Sequence, residues 1–153
     1  MYPRVPVLVF VALCLPIAGA ATAFAAPVTD ACSVLTAAQV SSAIGSTVAN
    51  GTYITPDFKT TCTWTIPTGG AVTLQLQTLQ FFNAGKGSLA SAERESASGI
   101  GDEAYYLGMG ATMGLAVRKG SAAFKIAVYI RNLAEDKRKA IEKTLAQQAL
   151  SKL

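Results

Sequence analysis

KTTCTWTIPTGGAVTLQLQTLQ, residues 59–80, sets the architecture. From Lys59 to Ile66, Cys62, Trp64 and Ile66 share one parity and Thr61, Thr63 and Thr65 the other. That period of two describes a strand with one face in a core and one in solvent. Pro67-Thr68-Gly69-Gly70 is a turn, and Ala71 to Gln80 repeats the alternation. Val72, Leu74 and Leu76 point inward; Thr73, Gln75 and Gln77 point outward. The stretch predicts a β-hairpin.

A second hairpin is expected downstream. Met113, Leu115 and Val117 begin it, Lys119-Gly120-Ser121 turns it, and Phe124, Ile126, Val128 and Ile130 line its inner side. Lys125, Tyr129 and Arg131 take the outward positions. Thr47 to Ile54 offers an earlier strand, and Glu103 to Leu107 another after the turn Ser98-Gly99-Ile100-Gly101-Asp102. Gly108-Met109-Gly110 reads as a further turn.

Three helices are expected between and around these strands. Thr36 and Gln39 form a capping box, Leu35 and Val40 occupy the hydrophobic-staple positions, and Gly45 terminates this first helix. Gly85 and Gly87 act as breakers before a short helix over Ser88 to Ala97. The last helix is read from a cap at Asn132 to about Leu150, burying Ala134, Ile141, Leu145 and Ala149. Glu135 and Asp136 lie in its first turn and Lys152 at its end, as the helix dipole favours. The segments 59–97 and 113–150 thus share a hairpin-then-helix pattern, with no likeness of residues. The implied class is α+β: an antiparallel sheet of five or six strands, helices on one face and a Thr/Gln-rich opposite face.

The amino-terminal stretch has the three parts of a secretory signal. Arg4 is the only charge before Asp30, an apolar run spans Val5 to Ile17, and small residues end in Ala23-Phe24-Ala25. Pro16 interrupts the run, which falls short of the ~20 residues that cross a bilayer. Residues 1–25 therefore read as a cleavable signal and 26–153 as a single exported domain, secreted or held in the periplasm or cell envelope. Retention as an anchor is the alternative; lipid attachment at Cys14 fits poorly, because Leu13 stands where that processing needs a small residue. No other segment is long and apolar enough to span a membrane.

Export also organises the cysteines. Of the three, Cys14 leaves with the signal, and Cys32 and Cys62 remain as a pair that an oxidising compartment joins. Closing that loop contributes about 3–4 kcal/mol on the chain-entropy model. The spacing is not C-x-x-C, and the chain contains no histidine to complete a zinc site or depress a thiol pKa.

The lack of histidine narrows the chemistry. It removes the common general base near neutral pH, the usual Ser and Cys triads and most transition-metal sites. Asp102-Glu103 are adjacent carboxylates, but neighbours on a strand point to opposite sides. Gly108 to Gly114 is glycine-rich but lacks the Walker lysine and the G-x-G-x-x-G spacing, and a strand follows where a phosphate loop needs a helix. Lys137, Arg138, Lys139 and Lys143 make a basic cluster on the last helix. Arg138 with Glu142, and Glu135 with Lys139, are i,i+4 pairs on a solvated face, and no aromatic residues are interleaved, so nucleic acid is not expected as a partner. Asn50-Gly51-Thr52 matches a glycosylation sequon, which counts only in a source that modifies such sites.

What remains is an outer sheet face bearing Thr63, Thr65, Thr73, Gln75, Gln77, Lys125 and Tyr129, with one of Tyr105 and Tyr106 expected to join it. The reading is a non-enzymatic exported domain, without cofactor or metal, binding a small ligand or an envelope partner there. Its rivals are a histidine-free hydrolase using Asp102 or Glu103, and a purely structural envelope protein. The order Cys32-x-x-Leu35-Thr36, Gln39-Val40, Gly45, Cys62-x-Trp64, Gly99-Ile100-Gly101-Asp102-Glu103-Ala104 and Lys119-Gly120 resembles small exported bacterial proteins and lipoproteins of uncharacterised families. That resemblance implies an α+β sensor-like or ligand-binding module without assigned catalysis. It carries no established functional residues.

Overall fold

The computed structural model describes residues 28–87, 93–108 and 113–153. The expected signal segment with its cleavage site, Ser88 to Ala92 of the expected short helix, and Met109 and Gly110 of the expected turn lie outside them. Seven strands form one antiparallel sheet: β1 Thr52–Tyr53, β2 Thr61–Thr65, β3 Ala71–Gln77, β4 Glu93–Ala97, β5 Glu103–Gly108, β6 Gly114–Lys119 and β7 Ala122–Tyr129. Their order is β1-β2-β3-β7-β6-β5-β4. Two meanders therefore meet where β3 pairs with β7, from Ala71↔Tyr129 to Gln77↔Ala123. The α+β class stands, but the sheet has seven strands where the sequence suggested five or six.

The additional strand is β4. Glu, Arg and Ala are good helix formers, and they made Ser88 to Ala97 read as a helix. Instead Glu93–Ala97 pairs antiparallel with β5, setting Glu95 opposite Tyr106 and Ala97 opposite Ala104. A charged segment suits a sheet edge, where it discourages pairing with another chain. Ala97 packs on the core, and Glu95 accepts from Lys139 Nζ at 2.6 Å.

The helix lies earlier, at α2, Leu79–Lys86. Thr78 ends the period-two run short of Gln80: its hydroxyl accepts from Phe81 N–H at 3.1 Å and caps α2. Phe82 is the buried residue of α2 and packs with Tyr105, Ala116 and Ala123. These three are outward positions of β5, β6 and β7, so α2 covers part of the face expected to be open. Helices occupy both faces of the sheet, which corrects the one-sided arrangement; the two hairpins are each followed by a helix, β2-β3-α2 and β6-β7-α3.

The opposite face carries α1, Ala37–Ile44, and α3, Glu135–Leu150. α1 follows its sequence signals closely: the Thr36–Gln39 capping box is formed, Leu35 and Val40 are buried, and Gly45 closes the helix at φ 71°. A single 3-10 turn, Ala31–Ser33, precedes it and holds Cys32. The Cys32–Cys62 disulfide joins that turn to β2 with Cα atoms 5.0 Å apart. Trp64, Leu74, Leu115, Phe124, Ile126 and Val128 fill the core beneath the two helices. β1 is shorter than the Thr47–Ile54 strand expected, although Ala49 N–H still reaches the carbonyl of Thr65 at 2.9 Å.

α3 departs from its expected face. It begins at Glu135 with no side-chain cap; Asn132 adopts φ 60° and turns the chain ahead of the helix. Ala134 is exposed and Ile141 only half-buried. The buried positions are Arg138, Glu142, Leu145, Ala146 and Ala149. Arg138 and Glu142 therefore sit on the inner face, not among solvated ion pairs, whereas Glu135 and Lys139 do pair on the surface at 2.7 Å.

Candidate functional site

Alternation along β2, β3 and β7 places Thr61, Thr73, Gln75, Lys125, Ala127 and Tyr129 on the outer face. Register brings them together: Thr61 lies opposite Gln75, Gln75 opposite Lys125, and Thr73 opposite Ala127. With Ile54 from the segment after β1, these residues line an open groove of about 380 Å³. Four expected face residues, Thr73, Gln75, Lys125 and Tyr129, are thus brought into one depression. Thr63 and Gln77 share the face but do not line it. Thr63 stands between Thr52 and Thr73, and Gln77 opposite Ala123. Thr63 Oγ1 and Gln77 Oε1 are buried without a hydrogen-bond partner.

Ala127 is the small buried residue in the lining of the depression, and Gly114 of β6 adjoins it. A β-carbon at Gly114 would come within 2.7 Å of Lys125 Cε and 2.9 Å of Ala127 Cβ. Lack of a side chain at Gly114 thus gives the lysine stem its course along the sheet. Lys125 is the only charged outward residue on β2, β3 or β7. It makes no ion pair or hydrogen bond with any described residue. Burial lowers its pKa, opposed in part by the charge of Glu142 on the other side of the sheet.

Exposed apolar groups flank the groove. Ile54 is 69% exposed and Tyr129 38%. Sequence alternation found Tyr129 and missed Ile54, because β1 pairs over two residues and the next lean over the floor only through that pairing. Tyr105, the outward tyrosine of its pair, does not contribute. It lies under α2, its ring centroid 4.9 Å from that of Phe82, and its hydroxyl donates to the Phe82 carbonyl.

Asp102 and Glu103 lie elsewhere, beside a second open depression lined also by Lys86, Arg94, Ser96 and Tyr105. Glu103 Oε2 accepts from Lys86 Nζ at 2.8 Å and lies 3.5 Å from Arg118 Nε. The Lys86 hydrogen bond chiefly holds the Glu103 carboxyl below its ordinary range, against the opposing effect of burial. Asp102 Oδ2 accepts from Gly120 N–H at 2.7 Å and approaches Arg118 at 3.8 Å. Both carboxylates tie the β6–β7 turn and α2 to β5.

The carboxyl group with an upward shift is Glu142, which sequence reading left in solvent. It is fully buried, and Oε1 accepts from Val128 N–H at 3.0 Å while Oε2 has no hydrogen-bond partner. Burial pushes its pKa up to about 7, against the Val128 N–H and the charges of Arg138, Lys125 and Lys139. Tyr106 is pushed up to about 12, first by burial and then by the charge of Glu142. Glu142 lies on the buried face of α3, against the core. Among the described residues no cluster of His, Cys, Asp and Glu could hold a metal, and no helix is long and apolar enough to cross a membrane. No protein-family model, curated protein or solved structure matches the chain.

Proposed function

We propose that this chain is an exported, non-enzymatic binding domain whose ligand or envelope partner meets the outer sheet face at the groove of Thr61, Thr73, Gln75, Lys125, Ala127 and Tyr129. The observation that carries this reading is the lysine: an unpaired cation lies half-buried between neutral hydrogen-bonding groups and exposed apolar side chains. A solvated face with no binding role has no reason to desolvate a charge, which costs free energy unless a partner compensates it. The ion-paired Asp102 and Glu103 support the non-enzymatic reading, because the carboxylates best placed for a histidine-free hydrolase are committed to cations and backbone.

A fragment screen followed by amide NMR on the exported protein tests the surface. Bound fragments should move the amides of Thr73, Gln75, Lys125 and Ala127, and Thr73→Glu with Gln75→Glu should abolish those shifts while the spectrum stays folded. Shifts confined to the surface between β4 and α3, around Glu95, Lys139 and Lys143, would place binding there instead.

Export is tested separately. The disulfide is compatible with an oxidising compartment, and the amino-terminal pattern supplies the signal. Intact mass of the secreted protein should correspond to a chain starting at about Ala26 with no added lipid. A species retaining Met1, or acylated at Cys14, would overturn it.

A further inference from the structure

Lys125 is the one charged residue lining the groove, and its surroundings specify more than a generic contact. Thr61, Thr73 and Gln75 are neutral and offer both donors and acceptors. No acid occupies an outward position of β2, β3 or β7, so nothing within the groove neutralises the ammonium. The acid whose charge reaches Lys125 is Glu142, on the opposite face of the sheet. Ile54 and Tyr129, also in the lining, present apolar surface to solvent. A volume of about 380 Å³ lies near the lower end of the ~300–1,000 Å³ that accommodates small ligands.

We infer that the groove takes a small anionic amphiphile, with a carboxylate or phosphate head on Lys125 Nζ and an apolar tail along Ile54 and Tyr129. This rests on the binding reading above and adds the chemical class. The head supplies the counter-charge that the protein omits, and Thr73 and Gln75 hydrogen-bond its remaining oxygens. A charge-assisted bond from a partly desolvated ammonium is stronger than a neutral one, so recognition depends on the charge of the head. The tail gains from covering Ile54, which is 69% exposed in the free protein.

Decanoate, monodecyl phosphate and decanol, each below its aggregation concentration, are the probes, titrated into the exported protein and followed by amide NMR. Decanoate or decyl phosphate should shift Thr73, Gln75, Lys125 and Ala127, and the tighter of the two identifies the head group. Decanol should bind at least tenfold more weakly. Lys125→Met, which keeps the aliphatic stem, should weaken the anionic probe at least tenfold, and Lys125→Arg should restore most of the affinity. Added sodium chloride should weaken the anionic probe in the unaltered protein, a readout that needs no variant to fold. If decanol shifts the same amides as strongly, or the anionic probes bind the groove regardless of salt and of Lys125→Met, the anionic assignment fails and the binding surface stands. If fragments bind the groove and none of the three amphiphiles does, the amphiphile class fails alone. Should fragments and amphiphiles both avoid the groove, the binding reading fails with it.

Discussion

Replacing Cys32 and Cys62 together by Ala is expected to lower stability by about 2–5 kcal/mol, the usual range for bridges in small secreted domains. The bridge closes a separation of 30 residues that contains α1 and β1. α1 has eight residues, too few to persist alone, so its place depends on packing and on how the chain enters it. Asp30 reinforces that entrance: Oδ1 accepts from Cys32 N–H at 2.9 Å, and both carboxylate oxygens lie 2.9 Å from the Tyr53 hydroxyl. Without the bridge, those polar contacts and the burial of Val34, Leu35 and Val40 must hold α1 in place.

Alanine also removes buried volume, since Cys62 is fully enclosed. Urea unfolding of the oxidised and the reduced parent protein separates the two effects, because reduction leaves both sulfur atoms in place. The oxidised form should be the more stable by most of the loss seen in the double variant. A difference below about 1 kcal/mol would show that α1 is held by packing alone. Thiol counting on the unreduced, denatured secreted protein should find no free thiol.

Much of this fold was legible in the residues, and the misses share a cause. Strict alternation at Thr61–Ile66 and at Phe124–Val128 declared two hairpin strands because one face of each is wholly core. α1 was legible because its cap, staple and terminator are local. β4 and α2 were not. Thr78-Leu79-Gln80-Phe81-Phe82 continues an alternating run, and only the Thr78 hydroxyl on Phe81 N–H decides for a helix. Glu93–Ala97 has no apolar face of its own; its pairing with β5 and the reach of Lys139 to Glu95 make it a strand.

The candidate groove divides in the same way. Its floor could be read from register, since Thr73, Gln75, Lys125 and Tyr129 alternate outward on strands that happen to be neighbours. Its wall at Ile54 could not, nor could the covering of Tyr105 by α2, because both arise from the path of connecting segments. Lys125 was legible as an outward residue of that face; its course past Gly114 and the lack of an ion-pair partner among the described residues were not.

Glu142 should make the domain lose stability as pH rises across neutrality, and Glu142→Gln should remove that loss. The ordinary carboxyl value is 4.5, and in the folded protein Glu142 lies at about 7. Between these values the folded state retains a proton that the unfolded chain has released, so raising pH favours unfolding. The full cost is absent below about pH 4.5 and complete above about pH 7. It amounts to about 3 kcal/mol at ~1.4 kcal/mol for each pH unit separating the folded and unfolded pKa values. The groups facing Glu142 are Arg138 and Lys139 from its own helix, Lys125 and the Val128 N–H from β7, and the Tyr106 hydroxyl from β5. Their attraction lessens the cost of burial without cancelling it. Glu103 and Glu135 act in the opposite sense, because cations hold their carboxyls low in the folded state. The stability they lend is lost as pH falls below about 4.5, outside the window of Glu142. Glutamine keeps an acceptor for Val128 N–H and carries no charge. The variant should match the parent near pH 4.5 and exceed it by about 2–3 kcal/mol at pH 8, as measured by urea unfolding at a series of pH values. Glu142→Leu is the counterpart: it also removes the charge but leaves the buried Val128 N–H unpaired, at a cost of about 1–3 kcal/mol. It should therefore be less stable than Glu142→Gln at every pH. Parallel stability curves for parent and Glu142→Gln from pH 4.5 to 8 would mean that Glu142 stays charged throughout, held by Arg138 more strongly than burial opposes it.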